Sequence, residues 1–391
     1  MSIQEGIFLT DPSICYFPVE NGDTSLIRLS NGLDILIDCN ITNDSRDESE
    51  NSRYDVHSHL LSILKKEKEV PFVDAFILTH PDEDHCRGFN EIFYVGNPSD
   101  YSDKNRKEGL IRIDELWFTP RIFSPHEKDM CDSAKIIRKE ALRRKQLYQD
   151  KKPECNNSGN RLRIIGYSDN PDLKGLGGII TSPGNSIKLI NGCTLNDFSF
   201  FVHAPFKKDI DSKWGERNDT SVILQARFDI EGEKNAAMAF FGGDSGFEVW
   251  EDIVQLSDES TLKWDIFLAP HHCSWSFFNQ TPYVKDDKPS NFSVDLLNKR
   301  CSSGSVIVAS CKPVKDDDDN PPHHAAANQY KKIVGSDNFY VTGEYPTSKK
   351  PQPLIFTITK KGPQLKDLSY TQSGNAASAI KTVLKTPHTY G

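Results

Sequence analysis

The feature that most constrains this chain is an apolar run that ends in a dense group of metal-binding side chains. The run 75–78 predicts a short buried strand, and it leads directly into a polar turn. That turn carries two imidazoles and two carboxylates within six residues: His80, Asp82, Asp84 and His85. Imidazole and carboxylate together are ligands of zinc, manganese and iron. The sequence therefore predicts a metal site at the end of this strand.

Two further predicted strands end in the same residue types. Asp244 follows the strand predicted over 237–241, and His271 and His272 follow the one predicted over 266–269. Ligands of α/β proteins gather outside the carboxyl ends of strands, so these side chains should meet the first group. Of the histidine pair, we expect one residue to bind metal, with His272 favoured over His271. The other would support the site or contact substrate.

This set is large enough for two divalent cations. Two ions roughly 3.5–4 Å apart need several ligands each and a carboxylate between them. We expect the first two ligands of the turn to face one ion and the last two to face the other, with Asp244 as the bridge. Such oxygen-rich ligation indicates manganese or zinc. A water held between two cations becomes a bridging hydroxide near neutral pH, which predicts metal-assisted hydrolysis with Asp84 and His272 as catalytic residues.

The rest of the pattern predicts an α/β fold. Asn31-Gly32 between two apolar runs predicts a hairpin over 24–38, and the apolar spacing of 56–66 predicts a helix. Later segments predict further strands, a helix and a closing hairpin of 339–342 with 354–359; the strands are 198–203, 221–226 and 306–310, and the helix is 325–334. We interpret 1–370 as one domain that carries an insertion at about 124–190, and 371–391 as a C-terminal tail.

The motifs resemble a known family. The segment 80–85 reads His-x-Asp-x-Asp-His, a variant of the His-x-His-x-Asp-His signature of metallo-β-lactamase-fold hydrolases. With its flanks, 78–88, it is similar to the soluble domain of the competence protein ComEC and its stand-alone relatives. Further segments resemble motifs of that family in the same order: 22–26 with 35–38, 218–222, 240–244, 269–274, and 306–310 with 320–323. The resemblance covers about 20–125 and 195–360. It implies an αββα four-layer sandwich with metals at one edge of its two sheets, and a phosphodiesterase or nuclease acting on DNA or RNA.

Three features depart from the family pattern. Cys273 replaces the glycine of its His-His-Gly-Ser motif, which adds a side chain beside a ligand. The segment 124–190 has no obvious counterpart in the family. The histidine of the family's third motif has two candidates, His203, which ends a predicted strand, and Asn218, because the ComEC-like group uses asparagine there.

Other polar residues are candidates for substrate binding: Asn218, His323 and His324. The two histidines follow an acidic run and could contact a phosphate or a carboxylate, although an exposed loop without function explains them equally well. For 80–85, the alternative is a polar loop that merely caps a helix, which the presence of the other motifs disfavours.

Composition narrows the classes further. The net charge of -9 argues against a protein that coats nucleic acid widely, but not against a local basic groove. The basic stretch 135–152 would suit phosphate contacts, whereas most charged helices are only solvated. Nine cysteines without a Cys-x-x-Cys pair favour reduced thiols in the cytoplasm. No run approaches the ~20 apolar residues that span a bilayer, so we expect a soluble protein without membrane contact.

Two alternatives to a nuclease stay open. One is a small-molecule hydrolase that cleaves a lactone, thioester, lactam or phosphoester. The other is a metal-stabilised subunit of a complex, with a protein partner bound through 124–190. A positive rim around the metals would favour nucleic acid, a closed apolar pocket would favour a small molecule, and a blocked metal edge would favour the subunit.

Overall fold

The computed structural model describes residues 11–41, 53–123, 130–212 and 218–366, which form a mixed α/β fold as predicted. The predicted tail 371–391 and the first part of the predicted insertion, 124–129, lie outside the described residues. The strands, in chain order, are β1 (Ser13–Tyr16), β2 (Ser25–Arg28), β3 (Asp34–Ile37), β4 (Lys66–Glu67), β5 (Val70–Ile77), β6 (Phe93–Tyr94), β7 (Ile111–Phe118), β8 (Arg161–Ile165), β9 (Ile180–Thr181), β10 (Ser186–Ile187), β11 (Leu189–Ile190), β12 (Cys193–Thr194), β13 (Phe198–Ala204), β14 (Ile223–Ile230), β15 (Glu233–Phe241), β16 (Ile266–Leu268), β17 (Val306–Ala309), β18 (Phe339–Val341), β19 (Leu354–Thr359) and β20 (Gly362–Leu365). The α-helices are α1 (Val56–Ile63), α2 (Glu83–Cys86), α3 (Phe89–Ile92), α4 (Asp103–Lys107), α5 (Asp132–Gln149), α6 (Lys207–Asp211), α7 (Phe247–Leu256), α8 (Pro270–Cys273), α9 (Asn291–Leu297) and α10 (His324–Val334).

The first large sheet combines an antiparallel half with a parallel half. Its strand order is β20-β19-β1-β2-β3-β5-β7-β8-β9, with β4 beside β5 and β6 beside β7. The predicted hairpin is confirmed, since β2 pairs antiparallel with β3 and the turn between them contains Asn31-Gly32. From β3 onward the neighbours β3, β5, β7, β8 and β9 are parallel.

The second large sheet has the order β10-β13-β14-β15-β16-β17-β18, and its last four strands are parallel. The predicted closing hairpin of 339–342 with 354–359 is wrong. The first of these segments forms β18, which pairs with β17, and the second forms β19, which lies between β1 and β20 in the first sheet. Alternate residues Leu354, Phe356 and Ile358 of β19 are buried in the core between the sheets, which favours this long-range pairing.

Three apolar clusters hold the two sheets and the surrounding helices together. One lies between the two sheets and takes residues from both, such as Ile35 and Ile37 of β3 and Ala239 and Phe241 of β15. The intervening Leu36 points the other way, into a second cluster that joins the first sheet to α1, α3 and α5. A third cluster joins the second sheet to α7, α9 and α10. Each sheet is therefore buried on both faces, as parallel strands require.

The segment 124–190 is not set apart from the sheets in its described part. Strands β8 and β9 extend the first sheet beside β7, and β10 pairs with β13 in the second sheet. Helix α5 buries Ala134, Ile137 and Ala141 in the cluster under the first sheet. That the segment 124–190 is an insertion relative to the resembling family stays a prediction. In this protein the described part of the segment packs as part of the fold.

Among the described helices, none is both long and apolar enough to cross a bilayer.

Candidate metal centre

The turn after β5 is held in place by a buried carboxylate on the neighbouring strand. Asp38 follows β3 and accepts hydrogen bonds from the backbone N–H of Thr79 at 2.7 Å and from its hydroxyl at 2.6 Å. Helix α2 begins directly after Asp82, which is its N-cap residue but makes no capping hydrogen bond with its side chain. The carboxylate of Asp82 therefore does not cap α2. Capping a helix was the alternative explanation for the polar residues of 80–85.

Four side chains from three strand ends converge at the edge where the sheets meet. The donor atoms of Asp84, His85, Asp244 and His272 all lie within 4.8 Å of one another. The Nε2 atom of His85 lies 2.9 Å from Oδ1 of Asp244 and 3.3 Å from Nε2 of His272. The same atom of His272 lies 3.2 Å from Oδ2 of Asp84 and 3.2 Å from Oδ1 of Asp244. The predicted convergence of these four residues is thus present.

The second oxygen of Asp244 faces a different pair of residues. Its Oδ2 atom lies 3.8 Å from Nε2 of His80 and 3.6 Å from Nε2 of His271. Nε2 of His80 is also 3.8 Å from Oδ2 of Asp82. This set is looser than the first. Asp244 is therefore positioned between two groups of donors, one on each carboxylate oxygen.

Backbone contacts fix the ends of the three strands against each other. The N–H of Val222, just before β14, donates to the carbonyl of Thr79 at 2.9 Å, and the N–H of His271 donates to Gly243 at 3.0 Å. Gly243 has a φ of 51°, and an added Cβ would lie 3.0 Å from the Thr79 hydroxyl. This close approach of β15 to the turn requires glycine before Asp244.

Three consecutive residues after β16 have a left-handed backbone. The φ values of His271, His272 and Cys273 are 49°, 52° and 69°. Non-glycine residues in this region cost of order 1–3 kcal/mol each and are found where the surrounding structure enforces them, often at functional sites. Cys273 therefore has a backbone conformation that favours glycine, and its thiol is fully buried.

The charges of this cluster are strongly coupled. Burial lowers the pKa of His85, but the carboxylates of Asp244 and Asp38 outweigh it and hold that pKa well above the ordinary value. The pKa of His272 is raised in the same way, against burial, by Asp244, Asp23 and Asp84. Burial alone would raise the pKa of Asp244, yet His272 and His85 keep it well below its usual range. At neutral pH the carboxylate of Asp244 is therefore ionised.

The donor chemistry of this edge fits a divalent metal. Nε2 of His80 is buried and has no hydrogen-bond partner, which is costly unless another group satisfies it. Nδ1 of His85 lies 2.7 Å from Oδ2 of Asp38, so that Nδ1 keeps its proton and Nε2 is the nitrogen that a metal would bind in place of a proton. Nδ1 of His272 lies 3.1 Å from the carbonyl of Ser310 and can be fixed likewise. Carboxylates and correctly oriented neutral imidazoles are the ligands of zinc and manganese.

Asp23 is a residue of this edge that the sequence pattern did not identify. Asp23 lies two residues before β2, and its Oδ1 atom lies 3.5 Å from Nδ1 of His272. Since β2 runs antiparallel to β3, the residues just before β2 lie at the same edge as Asp38, which follows β3. Asp23, Asp38 and Nδ1 of His85 form a second compact acidic group. The pairing of the predicted hairpin was the signal that could have identified Asp23.

His203 belongs to neither compact donor group of the described residues. His203 is buried, and its ring packs against Phe201 and Phe240 with centroids 4.8 Å and 5.0 Å away. Burial lowers the pKa of His203 to about 3. Asn218 begins a short turn before β14, and its carbonyl accepts from Ser221 at 3.0 Å. A ligand role for either residue stays a prediction.

His323 and His324 lie at the start of α10, close to the strained turn. The N–H of His323 donates to the carbonyl of Cys273 at 3.0 Å, and its ring Nδ1 accepts from Ala325 as the cap of α10. Nδ1 of His324 lies 3.1 Å from the carbonyl of Asp317. Both histidines therefore have structural contacts, and their binding of substrate stays a prediction.

Comparison with known proteins adds little to this geometry. No family model and no curated protein matches the chain. Among solved structures, the chain is similar to the crystal structure of a "Putative metal-dependent hydrolase" from Parabacteroides distasonis, at 10% identity over 84% of this chain and 92% of that one. The TM-score of 0.32 is too low for this likeness to support an argument.

Proposed function

We propose that this protein is a two-metal hydrolase of the metallo-β-lactamase fold that cleaves phosphodiester bonds in nucleic acid. The observation that carries the proposal is the position of Asp244, whose two carboxylate oxygens face two different sets of imidazole and carboxylate donors. A carboxylate shared between two cations is what a two-metal centre needs.

Each residue has a distinct part in this proposal. Asp84, His85 and His272 would hold one ion, His80 and Asp82 with His271 would hold the other, and Asp244 would bridge. Bound divalent cations supply Lewis acidity and lower the pKa of water. Asp38 keeps the imidazole of His85 oriented through the 2.7 Å contact at Nδ1.

An open cleft that polar and charged residues line lies beside Asp84. The cleft has a volume of about 370 Å³, and polar or charged residues line it: Glu20, Asn21, Asn40, Arg53, Glu83, Asp84, Arg87 and Lys312. Three of these are cations, and each lies beside an acid, as in the contact of Arg87 with Glu83 at 3.3 Å. The absence of apolar residues from this lining disfavours an apolar small molecule, and the partly exposed side chains of Asp82 and Asp84 disfavour a blocked metal edge.

The test is a cleavage assay on purified protein with defined metal content. Labelled single- and double-stranded DNA and RNA would be incubated with Mn²⁺, Zn²⁺, Mg²⁺ or EDTA, beside a lactone, a thioester and a phosphomonoester. Asp84→Ala is the test variant, and Asp295→Ala, an exposed aspartate on α9, is the matched control. We expect metal-dependent cleavage of a polynucleotide that Asp84→Ala loses and Asp295→Ala keeps.

Variants of the cleft residues provide a second test, through the KM for the polynucleotide. Arg87→Ala and Lys312→Ala should raise KM for the polynucleotide, and cleavage should weaken as salt rises, because phosphate contacts are salt-dependent. Protein that carries two ions per chain but cleaves only the small esters would replace the nucleic-acid proposal with a small-molecule hydrolase. Metal-loaded protein that cleaves none of these substrates would reject the phosphodiesterase.

A further inference from the structure

Two cysteines from distant parts of the chain meet beside the metal-binding turn. Cys86 is the last residue of α2 and directly follows His85, while Cys131 is the N-cap of α5. Their Sγ atoms lie 3.5 Å apart although 45 positions separate them in the sequence. A disulfide has an S–S bond of about 2.05 Å, so the two sulfurs are in non-bonded contact and must approach each other by roughly 1.5 Å to form one.

The two thiols differ in the way that a reactive pair requires. Cys86 is fully buried, and its sulfur also lies 3.1 Å from the carbonyl oxygen of Asp82. Cys131 is only half-buried, so that a small oxidant can reach it. Its sulfur accepts a hydrogen bond from the N–H of Ala134 at 3.4 Å, at the positive end of an 18-residue helix.

Those contacts also favour the reactive form of Cys131. The hydrogen bond with Cys86, supported by the N–H of Ala134, lowers the pKa of Cys131 to about 7 although burial opposes it. An accessible thiolate beside a second thiol is the arrangement found at redox-sensitive cysteines.

We propose that Cys86 and Cys131 form a reversible disulfide through which an oxidant acts on the metal-binding turn. With hydrogen peroxide as oxidant, the thiolate sulfur of Cys131 attacks one peroxide oxygen, the O–O bond breaks, and hydroxide leaves. The resulting sulfenic acid is then attacked by the sulfur of Cys86. An S–S bond forms, the S–O bond breaks, and the hydroxyl leaves as water with the Cys86 proton. Both thiols are oxidised by one electron each, and one peroxide is reduced to two waters.

The disulfide would act on the metal turn because α2 is short and rigidly connected to it. Closing the gap between the sulfurs requires α2 and the start of α5 to approach each other. Helix α2 contains Asp84 and His85, and the peptide carbonyl that contacts Cys86 belongs to Asp82. We therefore expect oxidation to weaken metal binding by about tenfold, the size of effect seen when contacts that orient metal ligands are lost.

The experiment treats the full-length protein with hydrogen peroxide, blocks free thiols under denaturing conditions, and maps the peptides by mass spectrometry. We expect a linked Cys86–Cys131 peptide that dithiothreitol separates. The link should be absent in Cys131→Ser and retained in Cys193→Ser, an exposed cysteine that serves as control. Oxidation of Cys131 to sulfinic or sulfonic acid while Cys86 stays free would overturn the disulfide, as would links formed only with Cys193 or Cys301.

A second measurement tests the consequence without relying on catalysis. The affinity for Zn²⁺ or Mn²⁺ would be measured by competition with a chromogenic chelator, before and after oxidation. The roughly tenfold loss should occur in the wild type and in Cys193→Ser but not in Cys131→Ser. Equal affinities for the reduced and disulfide-linked protein would overturn the link to the metal turn.

Discussion

The buried charges of the metal edge differ in their bonding from those of helix α5. Around Arg144 the groups are satisfied: its guanidinium donates to Glu140 at 2.7 Å, to the carbonyl of Arg161 at 2.9 Å and to that of Ile113 at 2.9 Å. Glu140 in turn accepts from Arg143 and from the N–H of Gly96. At the metal edge, Nε2 of His80 has no partner, and Nε2 atoms of two other imidazoles face each other at 3.3 Å.

This difference distinguishes buried charged groups that stabilise the fold from buried charged groups that are suited to bind a cation. Both clusters are buried and contain residues that a sequence search would select. The complete set of hydrogen bonds around Arg144 ties α5 to β7 and β8, which is a structural role. The crowded imidazoles and carboxylates around Asp244 are better satisfied by a cation than by each other. Within the basic stretch 135–152, Arg144 is buried, Lys145 stacks over Phe123, and Arg138 donates to the carbonyl of Ile122. Contact of this stretch with nucleic acid stays a prediction.

The largest expected effect is on stability at α5. Arg144→Ala should lower the free energy of unfolding by about 3–5 kcal/mol, because the buried Glu140 keeps only Arg143 as its charged partner and the buried carbonyls of Ile113 and Arg161 lose their donor. Urea denaturation would measure the loss, and Lys139→Ala, an exposed residue of the same helix, is the control. The metal content of the folded protein should not change. A loss below about 1 kcal/mol would mean that this cluster is not the structural one.

The next largest effect on the free energy of unfolding is expected when a divalent metal binds the cluster around Asp244. Mn²⁺ or Zn²⁺ at 100 to 1,000 times its Kd should raise the free energy of unfolding by about 3–4 kcal/mol over EDTA-treated protein. Asp244→Asn should abolish that increase, while Arg144→Ala should keep it. Thermal unfolding with and without EDTA provides the measurement. An increase of the same size in Asp244→Asn would remove Asp244 from the ligands.

A smaller effect is expected from the carboxylate that orients His85. Asp38→Asn should weaken metal binding by about 10–100-fold, or roughly 1.4–2.7 kcal/mol, because Nδ1 of His85 loses its charged partner. Competition with a chelator would measure the change, with Asp295→Asn as the exposed control. If metal affinity stays at the wild-type value, Asp38 has only a role in folding the turn.

The smallest expected effect is on the pH dependence of the free energy of unfolding. In metal-free protein, this dependence should differ between the cluster around Asp244 and the cluster around Arg144. The raised pKa values of His85 and His272 mean that their stabilisation is fully present below about pH 6.5 and is lost as pH rises through their folded-state pKa. Asp244→Asn should therefore cost more at pH 6 than at pH 9.

Glu140 should behave differently over this range. Burial raises its pKa, but Arg144 and Arg143 outweigh that and lower it, so its stabilisation is present above about pH 4.5 and is lost as pH falls. Glu140→Gln should have an equal cost at pH 6 and pH 9. Urea titrations of both variants at the two pH values, in EDTA, would show whether the clusters differ in this way.

The sequence predicted the local elements of the fold well and its long-range pairing less well. The Asn31-Gly32 hairpin and the helix predicted over 56–66 follow from residues that are close in the chain, although the helix ends at Ile63 and Lys66 begins β4. The pairing of β19 with β1 joins segments more than three hundred residues apart, and nothing in the spacing of 339–359 reveals it. The segment 124–190 was interpreted as an insertion because it has no obvious counterpart in the resembling family, and the structure shows that its strands β8 and β10 continue the two sheets.

What the sequence by itself determined is the set of metal-type side chains at strand ends. The apolar runs before His80, Asp244 and His271 predict strands, and parallel strands place their following residues at one edge. Only the tertiary structure decided how these side chains face each other: that the two oxygens of Asp244 face different donor sets, and that Cys86 meets Cys131. The physical reason is that strand ends are set by local periodicity, whereas the contacts between them depend on how two sheets pack across a shared core.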